Sequence, residues 1–152
     1  MVAAVNDDID ILAKAKRSLG SDYAPGDDEE YMNQQQLEYF RKLLLEWKKS
    51  ILSAAENTLQ SLQDGPIREP DLNDRASSET DWSIELRTRD RQRKLIAKID
   101  SALRRIDEGE YGWCEVTGEP IGLKRLIARP VATMTVEAQE AHERREKVSR
   151  DD

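Results

Sequence analysis

The sequence predicts a mainly α protein: a long antiparallel coiled-coil hairpin, a small zinc-finger-like globular module with a short β-hairpin, and a C-terminal helix. Three observations lead there. Only 38% of the 152 residues are apolar while 36% are charged, which suits long helices that bury one stripe better than a large core. Leu37, Phe40, Leu44, Trp47, Ile51 and Ala54 recur at alternating steps of three and four, the spacing of one apolar seam along a helix. Gly109, Gly112, Gly118 and Gly122 then crowd a short segment around the chain's single cysteine, Cys114.

Residues 1–32 form an acidic N-terminal segment, with eight Asp/Glu against three Lys/Arg. "NDDIDILAKAKRSLG" predicts a short amphipathic helix capped by Asn6 or Asp7 and closed by Gly20, expected to pack with the globular part. "SDYAPGDDEE" reads as a linker.

The hairpin is expected over 33–108. Its first helix should run from about Asn33 to Leu62, roughly 45 Å at 1.5 Å per residue. "DGPIREPDLND" stops it, since Gly65, Pro66 and Pro70 cannot continue the ladder, and sets a tip at about 63–76. A second helix follows from about Asp74 to Glu108, with a seam through Leu95, Ile99, Ala102 and Ile106, widened by Ile96 and Leu103. Neither helix can bury its seam alone, so the two must fold back on one another. Trp47 and Trp82 are expected in that seam.

Residues 109–134 form the knuckle-like module: a β-hairpin in "WCEVTGEPIG", then a helical turn in "LKRLIA" ended by Arg129 and Pro130. Thr133 or Thr135 can N-cap the last helix, within 135–152.

The net charge of −7 argues against a general nucleic-acid binder. No apolar run approaches a membrane span, the start lacks the order of a signal peptide, and one cysteine makes no internal disulfide. A soluble, cytoplasmic, monomeric protein is expected.

Cys114, Thr117, Thr135 and Ala138 repeat a CxxC-like spacing without its chemistry. Structural zinc takes four Cys or His ligands, and neither threonine hydroxyls nor an alanine methyl replace thiolates. Zinc is therefore expected to be absent, with Cys114 a small packed side chain and His142 solvated. Thr117 and Thr135 are expected to hydrogen-bond turn backbones. Packing must supply the rest, through Trp113, Ile121, Leu126, Ile127, Val131 and Met134.

At the tip, Asp71 and Asp74 stand where carboxylates cap free amides and complement a helix dipole. Acid/base or metal chemistry is the other use of such a pair, but the end of a two-helix hairpin offers no pocket, so no enzyme is expected. From Arg87 to Arg105 eight Lys/Arg meet two Asp. Two readings stay open: a solvated face pairing with Glu38 or Glu46, or a docking surface for an acidic or phosphate-rich partner.

"EEYMNQQQLEYFRKLLLEWKKS", "PDLNDRAS", "SIELRTRDRQRKLIAKIDSALRRIDEGEYGWCE" and "EPIGLKRLIARP" together resemble the DksA/TraR family of bacterial transcription factors, over roughly residues 29–148. The departure is the metal frame, whose Cys, Thr, Thr and Ala look like a zinc-independent branch. The resemblance implies a factor that binds RNA polymerase directly and not DNA, inserting its hairpin into the secondary channel. It implies a DxxDxA tip in Asp71, Asp74 and Ala76, acting on the polymerase's catalytic elements to destabilise open complexes, as at ribosomal promoters in the stringent response. It also implies a site for the alarmone ppGpp, as co-regulator, at the polymerase interface, with Arg91, Leu95, Lys98, Arg129 and Gln139 at contributing positions. Gln139 replaces a lysine common in zinc-bearing relatives, a lost charge that Lys124 or Arg125 would have to recover. The rival readings are a coiled-coil chaperone or adaptor, which should expose apolar residues at its tip, and a small DNA-binding factor.

Overall fold

The computed structural model describes residues 4–20, 23–64 and 72–151, with side chains described at 10–20, 23–57, 60 and 79–148. Five helices follow in order: α1 (Ala4–Ser18), α2 (Gln34–Asp64), α3 (Leu72–Glu108), α4 (Leu123–Ala128) and α5 (Val136–Asp151). The fold is mainly helical, built on the expected helical hairpin.

The chain divides into two compact units, residues 1–20 with 45–99 and residues 21–44 with 100–152. The division cuts through both long helices instead of falling between segments. Each unit pairs an early stretch of one long helix with a late stretch of the other, so α2 and α3 run antiparallel in both. Of the acidic segment expected to pack with the globular part, the stretch after Gly20 groups with the knuckle, while α1 groups with the long helices, since it buries Leu12 and Ala15 and needs a long apolar flank to cover them.

The first unit buries Trp47, Ile51, Gln92 and Ile99 at its helix pair. Trp82 does not join that seam: it is 39% exposed, with Ile84 and Leu86 also exposed nearby. Asn6 and Asp7 lie inside α1 and do not cap it, since the helix already begins at Ala4. Gly20 does close it, at φ 55°, with its amide on the Arg17 carbonyl.

The second unit has its core in Phe40, Leu43, Leu44, Ala102, Ile106 and Tyr111. Asn33 starts α2 as expected: its side-chain oxygen accepts the Gln36 amide at 2.8 Å. Gln36 answers by accepting the Met32 amide at 2.8 Å, a variant of the capping box. The Arg41 guanidinium pairs with Asp107 on α3. α3 ends in a Schellman motif: Gly109 adopts φ 77°, its amide bonds the Ile106 carbonyl, and the Glu110 amide bonds the Arg105 carbonyl.

Candidate functional site

The segment after α3 carries the degenerate metal frame, and the frame is tightly bonded. The expected β-hairpin shrinks to one antiparallel bridge, Trp113 with Pro120; no strand forms among the described residues. The reason is local: the Cys114 carbonyl is taken by the Gly118 amide in a tight turn, and the Cys114 amide by the Glu119 carbonyl. The turn exhausts the pairing before a ladder can extend.

The four frame positions do converge. The buried Cys114 thiol is pushed up by desolvation, but hydrogen bonds from the Thr117 hydroxyl and from the amides of Thr135, Thr117 and Val116 outweigh this and bring it down to about 7. Thr117 also accepts the Glu119 amide at 3.2 Å, and Thr135 N-caps α5 by accepting the Ala138 amide at 3.2 Å. Thr117, Thr135 and Ala138 line a groove of about 310 Å³. His142, one turn beyond Ala138 on α5, also lines it and pairs with Glu146 at 3.1 Å.

This donor set does not fit a structural zinc ion. It offers one thiol, two hydroxyls already engaged with backbone, and a methyl. Among the described residues no three His, Cys, Asp or Glu side chains gather as metal ligands would.

What joins the module instead is a strap from residues 23–33. The Tyr31 hydroxyl donates to the Gly112 carbonyl at 2.6 Å and accepts the Gly122 amide at 2.9 Å, bridging both flanks of the turn. Its ring meets Trp113 edge-on at 5.3 Å, which leaves Trp113 37% exposed and not in the core. The strap is itself fixed by Glu29, whose carboxylate accepts from Tyr23 at 2.6 Å and Asn33 at 3.1 Å; these bonds hold it below the usual carboxylate range. Beneath, Tyr111 is buried and donates to the Pro130 carbonyl at 2.7 Å, and burial drives its phenol far up. Arg105 holds the Trp113 carbonyl at 2.8 Å and Arg125 the Met134 carbonyl at 2.9 Å. A structural zinc is worth about 10–16 kcal/mol. These bonds, at about 1 kcal/mol each, act by number, beside the burial of Tyr111, Ile121, Leu123 and Leu126. Of the expected core residues Ile121 and Leu126 are buried, while Ile127, Val131 and Met134 are partly exposed.

The other sequence-derived residues fall as follows. Asp71 lies outside the described residues; Asp74 and Ala76 fall at the N-terminal end of α3, with only their backbone described. Arg91, Leu95 and Lys98 belong to the first unit, Arg129 and Gln139 to the second. Lys98 and Arg129 are exposed. Gln139 donates to Glu143 at 3.1 Å on its own helix. Arg125 is committed to the Met134 carbonyl, while Lys124 is exposed. The basic run pairs within its own helix, Arg93 and Lys94 with Asp90 at 3.0 and 3.2 Å, while Glu38 pairs with Lys42 on α2. The strap of Tyr31, Glu29 and Gln36 was not legible in the sequence analysis. The only trace was the spacing N-x-x-Q at the start of α2.

A helical hairpin followed by a bonded, cysteine-poor knuckle defines a class of small helical factor with a zinc-finger-like module. Residues 36–106 match the N-terminal domain of the DnaK suppressor protein DksA, and residues 109–144 match the prokaryotic dksA/traR C4-type zinc finger. The chain is 64% identical over 132 residues to the RNA polymerase-binding transcription factor DksA of Caulobacter vibrioides, covering 87% of this chain and 93% of that protein. It is 42% identical over 119 residues to the protein of the same name from Escherichia coli K12, covering 78% and 79%. The solved structure of transcription factor DksA2 from Pseudomonas aeruginosa aligns with TM-score 0.70 and 43% identity over 79% of this chain and 94% of that one. The chain belongs to the DksA family.

Proposed function

We propose that this protein binds RNA polymerase and regulates transcription initiation, without enzymatic activity and without binding DNA itself. The observation that carries the reading is the 64% identity, over nearly the full length of both chains, to a relative named for polymerase binding. The hairpin enters the polymerase's secondary channel, and the Asp71, Asp74 and Ala76 tip destabilises open complexes. α2, with 31 residues, is about 46 Å long, and α3, with 37, is about 55 Å, lengths suited to a probe of a deep channel. ppGpp acts with it at the polymerase interface through Arg91, Leu95, Lys98 and Arg129. The knuckle works without zinc, because its donor set cannot ligate one. No described helix is long and apolar enough to cross a membrane, in keeping with a cytoplasmic regulator.

Pull-down with RNA polymerase, followed by initiation assays at a ribosomal promoter with and without ppGpp, tests the reading. Retention on the polymerase and inhibition deepened by ppGpp are expected. A chain that binds bare promoter DNA and ignores polymerase would overturn it.

A further inference from the structure

Within the first compact unit, α1 and α2 flank an open groove of about 290 Å³ whose polar lining is Lys14, Ser18, Glu46, Lys49, Ser50, Ser53 and Asn57. Helical spacing explains how they converge. Lys14 and Ser18 stand one turn apart on α1; Lys49, Ser53 and Asn57 form one row of α2, and Glu46 and Ser50 begin the next. Two helices that merely packed together would meet here through apolar side chains, as they do at Leu12 and Ala15. Beside Ile11 and Ala54, this stretch presents hydroxyls, an amide, a carboxylate and two ammonium groups.

What sets this groove apart is two ammonium groups lining it together. Some cations elsewhere pair with carboxylates, Lys42 with Glu38 and Arg93 and Lys94 with Asp90, while others, Lys98 among them, stand singly. Among the described residues neither Lys14 nor Lys49 makes an ion pair or hydrogen bond, although Glu46 lines the same groove. Two unpaired ammonium groups on neighbouring helices, with serine hydroxyls lining the same groove, make a donor set for a phosphate group, which accepts through three oxygens. Glu46 adds an acceptor beside these donors. A bare polyanion is repelled by it, whereas a ligand with a hydroxyl next to its phosphate donates to it.

We propose that this groove binds a small phosphate monoester, its phosphate held by Lys14, Lys49 and the serine hydroxyls and a hydroxyl of its alcohol part donated to Glu46. The proposal does not rest on polymerase binding. It places a metabolite-sensing site on the N-terminal helix, apart from the residues discussed above for ppGpp.

The test is an amide-resolved NMR titration of the full chain with glycerol 3-phosphate at constant ionic strength. Saturable shifts should be confined to the amides around Lys14, Ser18 and Lys49 to Asn57. Lys49→Gln should weaken binding about tenfold, the loss of one charge-assisted hydrogen bond. Lys42→Gln, which removes the same charge outside the groove, should leave binding unchanged. Glu46→Gln should weaken glycerol 3-phosphate but tighten inorganic phosphate. Shifts that do not saturate, or equal weakening by Lys42→Gln and Lys49→Gln, would overturn the site. Inorganic phosphate binding as tightly as glycerol 3-phosphate to the unaltered chain would overturn the assignment of a monoester.

Discussion

The hydroxyl of Tyr31 donates to the carbonyl of Gly112 at 2.6 Å, across 81 residues of chain, and so ties the segment before α2 to the turn that carries Cys114. The same oxygen accepts the Gly122 amide. One phenol thus spans the two flanks that a zinc ion would otherwise draw together. Tyr31→Phe keeps the ring against Trp113 and deletes both bonds. It should cost about 1–2 kcal/mol, lowering the melting temperature by roughly 2–8 °C for a chain of this size. Thermal unfolding followed by circular dichroism reads this directly, and an unchanged midpoint would deny the strap its role.

Gly112 is the second half of that contact. It sits at φ 92°, and an added Cβ would lie 2.6 Å from both Cγ and Sδ of Met32. Met32 is buried, so its side chain must repack to make room, and the positive φ of Gly112 is strained for any side chain. Gly112→Ala should therefore destabilise by more than about 2 kcal/mol, more than Tyr31→Phe does, and chemical denaturation of both variants checks the order.

The long helices were legible because their signal is repetitive: Phe40, Leu44, Trp47 and Ile51 on α2, and Ile99, Ala102 and Ile106 on α3, are all buried. Trp82 was misplaced because the periodic signal fades in "RTRDRQRK", and nothing local fixes which face of α3 is covered there. The strap was missed for a related reason. Tyr31 and Glu29 act through single long-range bonds, which leave no period in the sequence. Gln36 is wholly buried at a seam-like position, where its amide serves Met32 and Gly26, and a hydrophobic pattern passes over it. The metal frame shows the opposite case: its spacing was visible at once, and its lack of thiolates followed from residue identity alone.

The thiol of Cys114 gives a dependence on pH. Its ordinary value of 9.0 falls to about 7 in the folded chain, so the folded state releases the proton more readily than the unfolded one. The stability this contributes is fully present above about pH 9 and is lost as pH falls through about 7. Urea midpoints should rise between pH 7 and 9 for the unaltered chain and stay flatter for Cys114→Ser. Chelator should change neither, because no ligand set holds a metal in this frame. Collapse of helical circular dichroism with chelator would refute the zinc-free reading.

At the start of α3, Asp74→Asn changes charge with little change in size. Its placement in the first helical turn makes a modest loss expected, about 0.5 kcal/mol from the helix dipole. Polymerase affinity should persist while regulation at a ribosomal promoter disappears. Parallel loss of affinity and regulation would assign the carboxylate to docking instead. Competition binding beside multi-round transcription separates the two.

The alarmone response should be separable from the fold at Lys98 and Gln139. Lys98 is exposed and, among the described residues, makes no ion pair or hydrogen bond, so Lys98→Ala should shift stability by less than about 0.5 kcal/mol. Any lost function then reports on the partner surface, and the ppGpp-dependent part of inhibition should fall more than basal polymerase affinity. If position 139 faces ppGpp as proposed, Gln139→Lys adds a positive charge there and should strengthen the ppGpp effect. The gain will be blunted, because Glu143, which now accepts from Gln139 at 3.1 Å, stands four residues on and will pair with the new ammonium. Adding Glu143→Gln to Gln139→Lys should release that ammonium and enlarge the response further. Dose-response curves for ppGpp on the three variants measure the order, and a flat response to Gln139→Lys in both backgrounds would remove position 139 from the interface.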